Sequence, residues 1–243
     1  MKSWLPLLFL FIYGVAGCQP VKHKAMAVNN NNVYVYRSPS VDGTGKYYLG
    51  REIAKVMDAS GADWLERPER QTEENAELAI DSMKLGPQAV VADIGAGTGY
   101  YTFRIASKVP KGKVYAVDVQ EELIRYLEEK KSKTGMQHVE VVMGDSISVN
   151  LPDNSLDLAI MVDVYHELAW PQEILQSIRK SLKPDGRILL IEYRGEDPSI
   201  PIKALHKTTV TQISSEMKAN DFIIERQEEF LPIQHFLVFR KKE

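Results

Sequence analysis

Strand-like and helix-like segments alternate along the chain from residue 89 onward, and this alternation constrains the fold more strongly than any other feature. A chain that alternates in this way is expected to form a parallel sheet whose two faces are covered by helices. Near the C-terminus, two β-rich segments follow each other so closely that antiparallel pairing is favoured over a crossover connection. The predicted strands of this α/β fold are residues 89–94, 113–118, 138–143, 156–162, 187–192, 222–226 and 235–240.

Polar residues cluster where the first five predicted strands end. In open α/β sheets, ligands bind beyond the carboxyl ends of the strands, so these side chains are candidates for a binding site. The five strands end in the loop Asp93-Ile-Gly95-Ala-Gly97-Thr98-Gly99, in Asp118, in Gly144-Asp145-Ser146, in Asp163-Val-Tyr165-His166-Glu167 and in Glu192-Tyr-Arg194.

The spacing of the glycines in the first loop indicates which ligand this site accepts. A dinucleotide-binding loop has the pattern Gly-x-Gly-x-x-Gly, which aims a helix N-terminus at a pyrophosphate. Here Gly99 comes one position early, and Tyr100 stands where that pattern requires glycine. The loop also lacks the Gly-Lys-Ser/Thr of a triphosphate site. We therefore predict a nucleoside ligand without phosphates, with Asp118 on the ribose, Asp145 on an adenine amino group and Asp93 near a cationic amino-acid tail.

Five motifs occur in a fixed order along this part of the chain. They are Val-Ala-Asp-Ile-Gly-Ala-Gly-Thr-Gly at 91–99, Val117-Asp118, Gly144-Asp145-Ser146, Leu-Asp-Leu-Ala-Ile at 156–160, and Leu-Lys-Pro-Asp-Gly-Arg-Ile-Leu-Leu at 182–190. Together they resemble the motifs of class I S-adenosylmethionine-dependent methyltransferases, above all the ubiquinone/menaquinone-type methyltransferase domains. The resemblance implies a Rossmann-like seven-stranded sheet of order 3-2-1-4-5-7-6, with strand seven antiparallel and helices on both faces. It also implies S-adenosyl-L-methionine as the cofactor.

The roles of individual residues follow from this resemblance position by position. The glycines would let the backbone approach the methionine part of the cofactor, Asp118 would hold the ribose, and Asp145 and Ser146 would hold the adenine edge. The residues expected to bind the cofactor are Asp93, Gly95, Gly97, Thr98, Gly99, Asp118, Val119, Asp145, Ser146 and Asp163. The resemblance says little about the methyl acceptor. We expect a small, partly apolar molecule, because Tyr165, His166 and Trp64 together would form an aromatic wall over the methyl group.

Methyl transfer from a sulfonium is an in-line displacement that needs alignment and the exclusion of water. A base is needed only if the attacking atom of the acceptor carries a proton. Histidine is the side chain best matched to proton transfer near neutral pH. The candidates for this base are His166, Tyr165 and Glu192, followed by Glu167 and His206.

A metal ion held by Asp163, His166 and Glu192 is an alternative interpretation of the same residues. Oxygen-rich Mg²⁺ sites usually recruit paired carboxylates, and no Asp-Asp or Asp-Asn pair follows the fifth strand. The sequence therefore predicts that no metal is bound.

An apolar run precedes the only cysteine of the chain. Residues 4–16 are mostly apolar and follow a positive charge at Lys2. The run is shorter than the roughly 20 residues of a membrane-spanning helix and is typical of a secretory leader. Its end, Val15-Ala16-Gly17-Cys18, resembles the bacterial lipobox, in which the cysteine is lipidated. We therefore expect Cys18 to anchor the protein to a bacterial membrane, facing the periplasm or the outer membrane.

The remaining segments complete the predicted domain organisation. Tyr34 and Tyr36 alternate with valines, so that a short edge strand is an alternative to a flexible tether there. The next segment is expected to contain a short helix over 48–57 and a longer helix over 68–85. Between them, residues 61–70 are either a solvated helix start packed on Trp64 or a lid. The predicted units are a lipoprotein signal peptide at 1–17, a flexible tether at 18–45, an N-terminal helical cap or lid at 46–85 and a methyltransferase domain at 86–243.

The net charge of the chain indicates which classes of partner it binds. With 33 acidic and 30 basic residues, it lacks the basic excess of a nucleic-acid binder. We expect a small-molecule acceptor, a membrane contact through Cys18 and a monomer or homodimer. An aminopropyltransferase or a nicotinamide dehydrogenase of the same fold is an alternative, although the early Gly99 argues against the dehydrogenase. A lipid-anchored binding module without turnover is another, because export would separate the domain from a known supply of S-adenosylmethionine.

Overall fold

The computed structural model describes Met1 and residues 33–243. The predicted signal peptide, the lipidation site at Cys18 and the first part of the predicted tether therefore lie outside the described residues. Within the described part of the chain, no helix is both long enough and apolar enough to cross a bilayer.

A small antiparallel sheet begins the described part of the chain. Its strands are β1 (Tyr34–Tyr36), β2 (Gly43–Tyr48) and β3 (Arg51–Ala54), in the order β1-β2-β3. The prediction of a tether extending to residue 45 is wrong for residues 34–36 and 43–45, where the alternative of an edge strand is confirmed. The sheet packs on the larger domain, because Asn220 Nδ2 donates to Tyr48 Oη at 2.6 Å.

The helix predicted over residues 48–57 is also wrong. Leu49 and Gly50 both have positive φ angles, 46° and 95°, between β2 and β3. Positive φ at both central residues is the signature of a tight β-hairpin turn whose twist matches its strands. The apolar residues that suggested a helical period, such as Ile53, are buried in this hairpin instead.

Three short helices form the rest of the N-terminal cap: α1 (Ala62–Leu65), α2 (Arg70–Glu74) and α3 (Ala76–Ser82). The single helix predicted over 68–85 is broken at Asn75, which has a left-handed φ of 56°. The side chain of Asn75 accepts a hydrogen bond from Leu78 N and so caps α3. Asparagine tolerates the left-handed region and is a preferred N-cap, which accounts for the break.

The main sheet has the predicted seven strands in the predicted order. They are β4 (Val90–Ile94), β5 (Lys113–Asp118), β6 (Val139–Met143), β7 (Leu156–Val162), β8 (Leu182–Tyr193), β9 (Phe222–Glu228) and β10 (Gln234–Lys241). Their spatial order is β6-β5-β4-β7-β8-β10-β9. The first five are parallel, and β10 is antiparallel to both β8 and β9. The α/β fold class and the antiparallel last strand are confirmed.

Helices cover both faces of this sheet. They are α4 (Thr102–Lys108), α5 (Glu121–Thr134), α6 (Pro171–Ser181) and α7 (Val210–Ala219). On one face, Val91 belongs to a buried cluster with α4 and α5, and on the other, Ala92 belongs to a cluster with α6 and α7. Successive strand residues point to opposite faces, so β4 contributes to both clusters. This double cover leaves only the strand ends open to a ligand.

Candidate active site

A cavity of about 660 Å³ opens at the carboxyl ends of β4, β5 and β7. The glycine loop and the predicted polar residues after these strands line it, together with cap residues that include Met57, Trp64 and Leu65. The volume falls in the range of about 300–1,000 Å³ that is usual for small-molecule sites. The cavity therefore lies where the strand-end rule predicts it.

The glycine loop after β4 presents bare backbone to this cavity. Gly95, Gly97 and Gly99 have φ angles of 71°, 57° and 75°, which favour glycine. A Cβ at Gly97 would lie 2.9 Å from the cavity-lining Leu65 side chain, so a larger residue would narrow the space between loop and cap. Thr98 Oγ1 is buried and has no hydrogen-bond partner among residues 33–243. Open backbone and an unpaired hydroxyl suit a polar ligand, which is what a cofactor would supply here.

Asp118, at the tip of β5, is held by backbone amides. Its Oδ2 accepts from Gly97 N at 2.9 Å, and its Oδ1 accepts from Val119 N and Gln120 N at 2.8 and 3.0 Å. Burial raises the pKa of Asp118, although the three amides act in the opposite direction. One lone pair of Oδ2 stays available, so Asp118 can accept from a ligand hydroxyl while it holds the loop.

Asp145 and Ser146 lie after β6 and are exposed on the cavity wall. Asp145 Oδ1 accepts from the amides of Ile147 and Ser148, each at 2.8 Å. This leaves Oδ2 free to accept from an amino group. Asp145 Oδ1 thus holds the turn while Oδ2 can contact a ligand, which fits the predicted contact with an adenine edge.

Asp93 and Asp163 form the buried acidic end of the cavity. Thr102 Oγ1 donates to Asp93 Oδ2 at 2.6 Å, and burial raises the pKa of Asp93 to about 6. Asp163 has a φ of 53°. Its Oδ2 accepts from Gln234 Nε2 at 2.7 Å, whereas its Oδ1 is buried without a partner in the described part of the chain. Burial raises the pKa of Asp163 well above its ordinary range. A cationic ligand group near them would stabilise the ionised forms.

The cap adds two arginines to this acidic end, which the sequence analysis did not assign. Arg70 Nε lies 2.7 Å from Glu74 Oε2, and Arg67 Nη2 lies 2.7 Å from Glu74 Oε1, which also accepts from Tyr193 Oη at 2.9 Å. Arg70 lies over the Tyr100 ring, 4.3 Å from its centroid. The interpretation of residues 61–70 as a solvated helix start is wrong for Arg70, which is buried, as is Glu74 one turn further along. The i, i+4 spacing of Arg70 and Glu74 is the sequence feature that could have predicted their ion pair.

The three candidate bases have different positions relative to the cavity. His166 lies on its wall, with Nδ1 2.6 Å from Glu192 Oε2. Glu192 is fully buried behind the histidine, and its Oε1 accepts from Val164 N and Tyr165 N at 3.1 and 2.8 Å. Glu192 therefore orients His166 and does not line the cavity itself.

Tyr165 points away from the cavity. Its hydroxyl donates to Glu216 Oε2 at 2.7 Å, and Glu216 Oε1 pairs with Arg51 Nε at 2.8 Å. The side chain of Tyr165 is fully buried and does not line the cavity wall. Of the three residues expected to form an aromatic wall, Trp64 and His166 line the cavity and Tyr165 does not. Tyr100, Tyr101 and Tyr193 also line it.

Glu167 and His206 complete a polar cluster with His166. Glu167 Oε2 accepts from Met57 N at 3.1 Å, and Glu167 Oε1 lies 3.2 Å from His206 Nδ1. His166 Nε2 lies 3.1 Å from the same His206 nitrogen. Burial opposes charge on this cluster, but Glu192 and Glu167 raise the pKa of His166 to about 10, and the two histidines lower the pKa of Glu167 to about 2. His166 must therefore release a proton before its Nε2 can accept one.

Comparison with known proteins agrees with this fold and with the position of the cavity. The family model described as "Methyltransferase domain" matches residues 85–236. The chain is 30% identical over 101 residues to a demethylmenaquinone methyltransferase of Anoxybacillus flavithermus, covering 41% of this chain and 43% of that protein. It is 29% identical over 129 residues to the ubiquinone/menaquinone biosynthesis C-methyltransferase UbiE of Ectopseudomonas mendocina, covering 52% and 50%. The chain thus spans about half the length of the curated relatives it matches.

Solved structures extend the likeness to the whole domain. A crystal structure of a SAM dependent methyltransferase from Aquifex aeolicus has a TM-score of 0.70 at 27% identity, covering 76% of this chain and 98% of that chain. A [4+2]-cyclase, SpnF, has a TM-score of 0.61 at 16% identity, covering 79% and 87%. The second likeness is one of fold alone.

Proposed function

Because the chain belongs to the methyltransferase domain family, whose cofactor is S-adenosylmethionine, we propose that it transfers the cofactor's methyl group to a small, partly apolar acceptor. One observation carries this proposal: a single cavity joins the glycine loop and the strand-end carboxylates to an apolar cap wall and a polar cluster. Such a cavity has room for a cofactor at one end and an acceptor at the other.

The cofactor end is built from groups of both charges. We propose that Asp118 holds the ribose, that Asp145 and Ser146 hold the adenine edge, and that the glycine loop admits the methionine part. Asp93 suits the ammonium of the amino-acid tail, and Arg70 brings a cation suited to its carboxylate. When bound, S-adenosylmethionine supplies an electrophilic methyl group on a sulfonium centre.

The acceptor end combines apolar surface with the polar cluster after β7. The apolar residues of the wall include Val56, Met57, Trp64, Leu168 and Ile202. His166, oriented by Glu192, is the polar group that we propose to face the reacting part of the acceptor. The names of the curated relatives refer to quinone biosynthesis, which supports an acceptor that combines an apolar body with a polar substituent.

The test is transfer of label from methyl-labelled cofactor. The purified full chain is incubated with labelled S-adenosylmethionine and a small-molecule extract, and the products are separated by chromatography. Label in a small, partly apolar product supports the proposal, and a matched Asp118→Ala protein should give far less of it. Binding of S-adenosylhomocysteine without any transfer would favour the binding module instead.

We also propose that the domain is attached to a bacterial membrane through a lipid on Cys18. The support is the lipobox-like order of small residues before the only cysteine. We propose further that the domain acts on a small molecule as a monomer or homodimer. The slight acidic excess of the chain supports the proposal that it does not bind nucleic acid.

A further inference from the structure

Three side-chain atoms on the cavity wall form a triangle with the dimensions of a metal site. His166 Nε2 and His206 Nδ1 lie 3.1 Å apart, His206 Nδ1 and Glu167 Oε1 lie 3.2 Å apart, and His166 Nε2 and Glu167 Oε1 lie 3.7 Å apart. A tetrahedral ion with bonds of about 2.0–2.1 Å keeps its ligands about 3.3 Å apart. Within residues 33–243, this is the only group of three or more potential ligands that converges in this way.

The atoms behind these ligands are arranged to hold them in place. Glu192 Oε2 lies 2.6 Å from His166 Nδ1, which leaves Nε2 of that ring to face the triangle. Glu167 Oε2 is held by Met57 N, which leaves Oε1 to face it. A carboxylate behind a ligating histidine is the usual support of a metal-bound imidazole, because it fixes the ring and raises its basicity.

From these distances and supports we propose that His166, Glu167 and His206 bind a divalent transition-metal ion. Two imidazole nitrogens and one carboxylate oxygen suit ions such as Zn²⁺, whereas Mg²⁺ prefers oxygen ligands and keeps its waters. Three protein ligands leave a coordination position open, as in catalytic zinc sites. All three residues line the cavity, so that a fourth ligand can come from it.

These three ligands differ from the set that the sequence analysis considered and did not favour. Of Asp163, His166 and Glu192, the structure leaves only His166 on the site. Asp163 does not belong to the converging group, and Glu192 uses both oxygens on two amides and on His166. His206 comes from a short 3₁₀ helix, Ala204–His206, that lies 40 residues further along the chain.

A metal ion at this position indicates which class of acceptor the protein methylates. This conclusion rests on the proposed methyl transfer. An acceptor with a hydroxyl or thiol can place its oxygen or sulfur on the open position, where the ion lowers the pKa of that group. The acceptor releases its proton to water, and its lone pair forms a bond to the methyl carbon. The carbon–sulfur bond of the sulfonium breaks, and its electron pair stays on sulfur as S-adenosylhomocysteine. With its Nε2 on the ion, His166 acts as a ligand and not as a free base.

The test measures metal binding without turnover. The full chain, prepared without a histidine tag, is stripped with a chelator, titrated with Zn²⁺ against a chromophoric competitor and analysed for bound metal. One equivalent should bind and raise the melting temperature, and Co²⁺ in its place should give visible bands of low-symmetry coordination. His206→Ala should abolish these signals, and Glu192→Gln should weaken Zn²⁺ binding by about 10–100-fold. His138→Ala is the matched control, because the hydrogen bond of the His138 ring goes to the Ala106 carbonyl and His138 is not one of the three converging residues.

Calorimetry with S-adenosylhomocysteine on the same samples reports separately on the cofactor site. Folded wild-type protein that binds S-adenosylhomocysteine but holds no stoichiometric Zn²⁺ or Co²⁺ would overturn the metal site and leave the proposed methyl transfer standing. Equal Zn²⁺ affinity in wild type and His206→Ala would overturn it as well. Tight Zn²⁺ binding without S-adenosylhomocysteine binding would support the metal site and count against the proposed function.

Discussion

Asp118 Oδ2 accepts a hydrogen bond from Gly97 N at 2.9 Å, so the tip of β5 holds the glycine loop that follows β4. The two residues stand 21 positions apart and come from neighbouring strands of the sheet. Because Asp118 also faces the cavity, one carboxylate both shapes the loop and can accept from a ligand.

Replacing Asp118 by Ala should weaken binding of S-adenosylhomocysteine by about 10- to 150-fold, since a hydrogen bond to a charged group is worth about 1.5–3 kcal/mol. Isothermal titration calorimetry measures the change. Asp118→Asn keeps an acceptor of the same shape without the charge and should lie between wild type and Ala. Unchanged affinity in a folded Asp118→Ala protein would contradict the assignment of the ribose to this residue.

Asp93 should make the stability of the unliganded protein depend on pH. Its pKa is raised from 3.8 to about 6 by burial, with Thr102 and Arg70 acting against burial and Asp118 acting with it. A raised pKa means that the folded state binds the proton more tightly. This contribution to stability is complete below the unfolded pKa and is lost as the pH rises through about 6.

The comparison protein for this prediction is Asp93→Asn, which cannot ionise. Between pH 4 and pH 7 the wild type should lose up to about 3 kcal/mol of stability that Asp93→Asn does not lose. The free energy of unfolding of Asp93→Asn minus that of wild type should therefore increase by this amount. Denaturant unfolding at a series of pH values gives the difference. Parallel stability curves for the two proteins would show that Asp93 does not titrate in this range.

Glu74 should be important for stability, because it is fully buried and pairs with Arg67 and Arg70. Glu74→Ala leaves two guanidinium groups without their carboxylate, and breaking a buried pair in this way costs about 3–5 kcal/mol. Glu73→Ala is the matched control: Glu73 also pairs with Arg67, but its side chain is 45% exposed. The control should cost at most about 1 kcal/mol in the same denaturant experiment. Similar losses for both variants would contradict the assignment.

His166→Ala should leave the affinity for S-adenosylhomocysteine nearly intact while turnover falls by about 10²–10⁴-fold, because the variant loses either the group that accepts the acceptor's proton or the ligand of the proposed ion that lowers the acceptor's pKa. The expectation follows from the position of His166 on the cavity wall, where the hydrogen bonds of its ring go to Glu192 and His206 and not to the glycine loop. Tyr165→Phe is the comparison, since the Tyr165 hydroxyl contacts only buried Glu216. It should reduce stability slightly and leave kcat close to that of wild type. If Tyr165→Phe lost turnover and His166→Ala kept it, the roles of the two residues would be reversed.

Cys18→Ala should move the protein from the membrane fraction to the soluble fraction, because a lipid on this cysteine would be the anchor. Phase separation in detergent, followed by mass measurement of the N-terminal peptide, checks the prediction. The wild type should partition into detergent and show no free thiol. Unprocessed wild-type protein with a reactive thiol would rule out lipidation at Cys18.

The prediction of the main sheet succeeded because its signals are local. Strands β5 and β7 have the predicted boundaries, since buried parallel strands are continuous apolar runs that end in polar tips. Strand β8 begins at Leu182, five residues before the predicted start, because Pro184 and Gly186 indicate a turn but are accommodated where the pairing of β7 with β8 shifts register. The hairpin of β2 and β3 was missed because a few apolar residues fit a helical period as well as they fit a strand.

The sequence by itself determined the alternation of strands and helices, the glycine loop and the acidic strand tips, because the ends of parallel strands meet at one edge of a sheet. The order of the strands followed only from the resemblance to a known family. Only the tertiary structure decided which side chains share the cavity. Packing of the cap brings Arg70 and Glu74 to the acidic end, and packing of two 3₁₀ turns brings His206 to His166 across 40 residues. Periodicity describes which face of an element is buried, but it does not specify the distance between side chains on different elements. That distance is set by how the elements pack.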